Sequence, residues 1–149
     1  MGVVKFYHLT GSPMEEVAQM LLSRATGLGW RVMLRGQDAA RLDWLDGWLW
    51  THPPEGFLPH GRQGGRHDAL QPVLLGTGPL PEGARGLMAV DGAGVTPEEA
   101  EAVERVWILF DGLEETALER ARAQWRDLTG AGVAAEYWSE ASGRWEQKR

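Results

Sequence analysis

The sequence predicts a single α/β domain with a mainly parallel central sheet and helices on both faces. Strand-like runs alternate with helix-like periods along the whole chain, the pattern of parallel strands joined by crossover helices. The 149 residues contain no internal repeat, linker or second domain, so one domain spans residues 1–149. Apolar residues make up 43% of the chain, enough for one ordinary core and far above the disordered class.

Each element has its own reason. Val3 to Leu9 is rich in β-branched and aromatic residues and reads as the first strand. Ser12-Pro13-Met14-Glu15 opens a helix: Ser12 caps it, Pro13 takes the first helical position and Glu15 closes a capping box. Val17, Met20, Leu21 and Ala25 form its inward stripe, and Gly27 and Gly29 end it. Trp30 to Leu34 is a second strand, and Asp38 caps a second helix reaching to about Trp50. Residues 51–71 are rich in Pro, Gly and His and read as one long surface loop, a kind of segment that is usually functional or disordered. Pro72 to Leu75 and Gly86 to Val90 are short apolar runs, hence buried strands. Thr96-Pro97-Glu98-Glu99 opens a short helix by the same capping logic. Val106 to Phe110 is another buried strand, and Glu114 to Leu128 is a long helix stopped by Gly130 and Gly132. Ala134 to Trp138 is the last strand, followed after Ser142 by a charged tail.

Composition excludes several functions. A net charge of −6 argues against strong direct nucleic-acid binding, which needs a positive surface. The absence of cysteine removes disulfides, thiolate metal sites and thiol catalysis, and fits a reducing cytoplasm. No signal peptide and no run of membrane-spanning length is present, so a cytoplasmic protein with no membrane contact is expected.

Local motifs for chemistry are also missing. The turn Thr10-Gly11-Ser12-Pro13 matches neither G-x-G-x-x-G nor G-x-x-x-x-G-K-[ST], so it reads as a helix cap without a phosphate cradle. Gly76-Thr77-Gly78-Pro79 reads as a turn, because proline lacks the N–H that an anion nest needs. His52, His60 and His67 share the long loop with Asp68 as the one adjacent acid. With no helical i, i+4 histidine pair, they read as loop histidines and not as a zinc site. Ser12, Ser23, Ser139 and Ser142 lie outside any nucleophile elbow, and Glu15-Glu16 and Glu98-Glu99 sit in first helical turns, where the dipole favours acids. No catalytic residue, metal or cofactor is expected.

Two surfaces stand out. A helix turns about 100° per residue, so Trp44 and Trp48 align while Trp50 points roughly 160° away from Trp48. One helix thus shows large aromatics in two directions, followed at once by the proline-braced Phe57, Pro59 and His60. Such a Trp beside a rigid loop Phe suits a protein interface, and equally suits rings that close the domain's own core. In the last long helix Arg122, Trp125, Arg126 and Thr129 share one side. Guanidinium groups around an indole suit an acidic peptide carrying an apolar side chain, although spacing alone favours a solvated face in which Glu119 or Asp127 pairs with an arginine.

Three segments in order, the first strand, L-W-x-x-P-x-x-G-F-L-P-H at Leu49 to His60, and A-R-A-Q-W-R at Ala121 to Arg126, resemble the chi subunit family of the bacterial DNA polymerase III holoenzyme over essentially the whole chain. The resemblance implies a nucleotide-binding-like topology without a phosphate loop and a non-catalytic accessory subunit of the clamp-loader assembly. It implies that Trp50 and Phe57, with Pro59 and His60, face the psi subunit or, alternatively, a helicase. It implies that Arg122, Trp125, Arg126 and Thr129 face the acidic, phenylalanine-ending tail of the single-stranded-DNA-binding protein. Trp125 stands where the family usually has tyrosine, and Leu118 and Thr129 stand where some members have basic residues, so fewer charges meet the tail. The reading from another class is a small nucleotide-dependent or hydrolytic enzyme on the same α/β fold, since fold alone does not fix function.

Overall fold

A computed structural model describes residues 2–52, 59–65, 68 and 71–149; Phe57 and His67 lie outside the described residues. In chain order the elements are β1 (Val3–Leu9), α1 (Met14–Gly27), β2 (Val32–Arg35), α2 (Ala39–Thr51), β3 (His60–Arg62), β4 (Val73–Gly76), β5 (Gly86–Ala89), α3 (Pro97–Ala102), β6 (Arg105–Asp111), α4 (Glu115–Gly130), β7 (Ala134–Ser139) and β8 (Glu146–Gln147). They build one sheet in the order β3-β4-β2-β5-β6-β1-β7-β8. Every pairing is parallel except β7 with β8, so the predicted mainly parallel α/β architecture is what forms.

Alternation along the strands divides the core into two layers. Trp107 and Leu109 of β6 join Val17, Leu21, Leu22 and Ala25 of α1 and Leu42, Leu45 and Leu49 of α2 on one face. Val106, Ile108 and Phe110 join Ala100 of α3 and Ala121 and Leu128 of α4 on the other. Burying a large aliphatic side chain contributes about 1.5–3 kcal/mol, which is why continuous apolar runs end up covered on both faces. The crossover from β1 runs toward the β3 edge, and the crossover from β6 runs over β1 toward the β8 edge. The two connections therefore diverge between β1 and β6, the place where doubly wound folds bind ligands.

Several local expectations are corrected. The 51–71 segment is not all loop: His60–Arg62 is an edge strand in register with Val73, Leu74 and Leu75 of β4. Polar, glycine-rich sequence gives no periodicity, and the free edge of β4 decides the conformation by backbone pairing. The charged tail contains β8, which pairs Glu146 with Ser139 and Gln147 with Trp138. Ser12 does not cap α1; Pro13 is the N-cap and no side chain caps it. Met20 is exposed, and Ala18 and Leu22 take the inward places with Val17, Leu21 and Ala25. Trp30 precedes β2 and packs beside Trp107, with the Arg105 guanidinium 5.3 Å from its ring centroid. The Asp38 cap forms, as does the complete Thr96–Glu99 capping box.

Arg35 at the end of β2 is 9% exposed and forks onto Glu99 of α3 at 2.8 and 2.6 Å, with Gly94 and Gly78 carbonyls accepting two further N–H groups. The Arg35 bond, working against desolvation, holds the Glu99 carboxyl below its ordinary value. A depressed carboxylate stabilises the fold above its unfolded pKa, and that contribution disappears as pH falls through the folded pKa. Glu99→Ala leaves a nearly buried guanidinium without its counter-charge and removes a capping box. Thermal unfolding at neutral pH should show a loss of about 2–4 kcal/mol, and the gap from the parent protein should narrow in acid.

Candidate functional site

The late helix supplies the first part of the site. Glu114 caps α4 by accepting bonds from Thr116 and Ala117 N–H, and Ala121 and Leu128, seven residues apart, lie against the sheet. That rotation leaves Trp125 half-buried at the flank, with Arg122 and Arg126 exposed on either side. The Trp125 ring meets the fully buried Phe6 edge-on at 5.3 Å and Tyr137 of β7 at 6.0 Å. Tyr137 is fixed in turn by a 2.7 Å hydrogen bond between its hydroxyl and His8 Nδ1. A Cβ at Gly112 would stand 1.7 Å from His8 Cδ2, so glycine there leaves room for the ring that holds the tyrosine. Burial pushes the Tyr137 hydroxyl up in pKa, with Arg122 opposing.

These rings floor a cavity of about 400 Å³ lined by Arg122, Trp125, Arg126, Tyr137, Lys148 and Arg149. The Arg149 guanidinium lies 6.0 Å from the Trp125 ring centroid. Among the described residues, the only hydrogen-bond or ion partner of the four cationic side chains is Glu146, 3.4 Å from Lys148. The intrahelical pairing of Arg122 or Arg126 with Glu119 or Asp127 does not form. Thr129 is exposed, outside the cavity lining, and its hydroxyl donates to the Trp125 carbonyl at 2.6 Å. Sequence reasoning found three of the six lining residues. It missed Tyr137, seen only as a strand residue, and Lys148 and Arg149, seen only as tail. The signal that places them is β7–β8 pairing, which no periodicity in so short a charged segment reveals.

The second surface lies on α2 and β3. Leu42, Leu45 and Leu49 form the buried stripe, so the three tryptophans take other positions. Trp48 is half-buried against the core and stacks on His52 at 4.5 Å. Trp44 is 44% exposed beneath the Arg41 guanidinium, 4.9 Å away. Trp50 is 49% exposed and touches the His60 ring at 4.5 Å. His60 is buried, its Nε2 3.2 Å from the Asp46 carbonyl and 3.3 Å from the Asp46 carboxylate, and Pro59 is half-buried next to it. Trp50, Pro59 and His60 thus gather at one place. Among the described residues no three His, Cys, Asp or Glu side chains are placed to hold a metal.

The third feature sits where the crossovers diverge, at a cavity of about 600 Å³ whose lining includes Thr10, Gly11, Ser12, Asp111 and Arg120. Here the sequence reading is overturned. The Thr10–Ser12 turn is an anion nest, and its anion is the chain's own Glu140. Oε2 accepts the N–H groups of Thr10, Gly11 and Ser12 at 2.9, 3.1 and 2.9 Å, and the Ser12 hydroxyl donates to Oε1 at 2.6 Å. Because Pro13 takes the cap position, Ser12 turns its donors outward to this carboxylate. Desolvation raises the Glu140 pKa, but the Ser12 hydroxyl and the three N–H groups outweigh it and bring it down to about 2.

The arrangement defines a doubly wound α/β domain whose Thr10–Ser12 nest is filled from within and whose exposed chemistry is a cation-rimmed aromatic pocket. The chain belongs to the DNA polymerase III chi subunit family: the family described as "DNA polymerase III chi subunit, HolC" matches residues 1–136. The DNA polymerase III subunit chi of Pseudomonas aeruginosa is 33% identical over 109 residues, covering 71% of each chain. The family is one of replication accessory subunits, which places the chain in bacterial DNA replication.

The Glu140 bonds make the stability of the fold depend on pH. Its stabilising contribution is complete above about pH 4.5 and is lost as pH falls toward about 2. Glu140→Gln should lower the unfolding midpoint at pH 7, and the variant's midpoint should fall less steeply between those two pH values. Circular dichroism melts across that range check it; parallel curves would show that the carboxylate contributes nothing.

Proposed function

We propose that the chain is a non-catalytic adaptor, a single domain working in the cytoplasm, that joins the clamp-loader assembly to the single-stranded-DNA-binding protein. The observation that carries this reading is the cavity over Trp125. Arg122 and Arg126 stand there with no acidic partner among the described residues, in a protein whose net charge is −6. Guanidinium forks take carboxylates and the two rings cover an apolar side chain, which is the chemistry of an acidic, phenylalanine-ending tail. The psi subunit, or a helicase at the same place, is the partner proposed for Trp50, Pro59 and His60. The family resemblance adds Phe57 to that surface. Occupation of the Thr10–Ser12 nest by Glu140 supports the adaptor over a nucleotide-dependent enzyme, because the donors a phosphate needs are already bonded.

Calorimetric titration with an acidic peptide ending in phenylalanine tests the first surface. A hydrogen bond to a charged group contributes about 1.5–3 kcal/mol, so Arg122→Ala should weaken binding about tenfold or more, and added salt should weaken it for the parent protein. Equal affinities, or indifference to salt, would sink the reading. Fluorescence anisotropy at physiological salt should show weak or no binding of single-stranded DNA by the chain alone; tight binding would favour direct nucleic-acid contact.

For the second surface, Trp50→Ala should leave the unfolding midpoint close to that of the parent protein, since about half of the residue's surface is already in solvent. It should cost about 2 kcal/mol or more in partner binding, read by pull-down. A collapsed midpoint with partner binding retained would make Trp50 a core residue.

A further inference from the structure

The match to the family ends at residue 136, so nothing in it assigns a role to the C-terminal segment that closes one side of the cavity. Helix α4 provides two of the four cations. The other two, Lys148 and Arg149, reach the same space from the sheet side. Their placement is built into the fold. Lys148 N–H donates to the Tyr137 carbonyl at 2.6 Å and Tyr137 N–H donates to the Arg149 carbonyl at 3.3 Å, so the pairing of β7 with β8 continues two residues past the strand. The backbone that carries the two cations is therefore bonded directly to the residue whose ring floors the pocket. The connecting hairpin is held at its base by Glu140 in the Thr10–Ser12 turn and along its length by Trp145, edge-on to Tyr7 at 5.2 Å.

We infer that Lys148 and Arg149 are peptide-binding residues that form a second cationic wall facing Arg122 and Arg126, and that Glu146 tunes this wall by competing for Lys148. The inference rests on the reading of the cavity as a site for an acidic peptide. Two walls of opposed guanidinium and ammonium groups about an aromatic floor let successive carboxylates of an extended peptide be met from both sides, while an apolar side chain sits on Trp125 and Tyr137. Glu146 is the acid on this wall. It lies 3.4 Å from Lys148 and 3.8 Å from Arg144, and the Ser142 hydroxyl also donates to it. An exposed pair of this kind contributes little on its own, so a peptide carboxylate can displace Glu146 from Lys148.

The test is calorimetry with the acidic phenylalanine-ending peptide on the full chain, in four forms. The parent protein and Arg122→Ala gauge the underlying reading. A double variant, Lys148→Gln with Arg149→Gln, removes the second wall while keeping every backbone bond to Tyr137, and its unfolding midpoint is measured alongside. Glu146→Gln removes the competitor. The expected result is a loss on the order of tenfold or more in the double variant, with its midpoint retained, and a gain of a few-fold for Glu146→Gln. The gain is the readout that a merely structural tail would not give. If Arg122→Ala weakens binding and the double variant binds as the parent does, the second wall is overturned while the peptide site stands. If the parent protein does not bind the peptide at all, the site and the inference both fall.

Discussion

The cavity over Trp125 and the filled Thr10–Ser12 nest both depend on β1 being paired on both sides. Val3 to Leu9 is in parallel register with β6 along its whole length and with β7 from Val3 to His8. A strand so placed has no freedom of register, since a shift by one residue would turn its buried side chains to the opposite face. Phe6 then lies beneath Trp125, His8 reaches Tyr137, and the strand's end delivers Thr10, Gly11 and Ser12 to Glu140. The cavity floor and the filled nest are thus two products of one strand, separated by three residues along it.

The layout also explains how an acidic protein presents a cationic pocket. Acids and bases elsewhere on the surface find one another: Arg41 with Asp91, Arg62 with Asp43, Arg85 with Glu104. At the cavity the helix places Arg122 and Arg126 toward the sheet edge, where β7 offers a tyrosine. Among the described residues, the side-chain carboxylate paired with one of its cations is Glu146, which already divides its attention between two bases. A local positive field of this kind acts within about a Debye length, roughly 8 Å at physiological salt, so it is confined to the neighbourhood of the cavity.

What was legible in the sequence followed from how local its cause was. Asp38, and Thr96 with Glu99, act on neighbours two or three residues away, and those caps were read correctly. The continuous apolar runs of β4, β5 and β6 announced burial on both faces. The face of α4 was readable because helical spacing alone aligns Arg122, Trp125 and Arg126. Ser12 was misread because its partner is 128 residues distant, and a hydroxyl that would suit a cap prefers a charged acceptor when the fold brings one. Met20 fitted the helical period, yet the inward arc of α1 is rotated away from it, toward Ala18 and Leu22. β3 and β8 were invisible for a different reason: three and two residues long, rich in polar side chains, they are strands only because a neighbouring edge offers them hydrogen bonds. The same long-range pairing brings Lys148 and Arg149 to the cavity, so half the site could not be seen before the sheet was assembled.

Glu140 makes the nest a site whose occupant travels with it. A group tethered to the same rigid sheet meets its donors at an effective concentration that a dissolved phosphate at cellular levels does not match. A single side chain thus occupies the three N–H donors of the turn. The same bonds tie the α1 end of the domain to its C-terminal hairpin, so the nest is a brace between two parts of one chain.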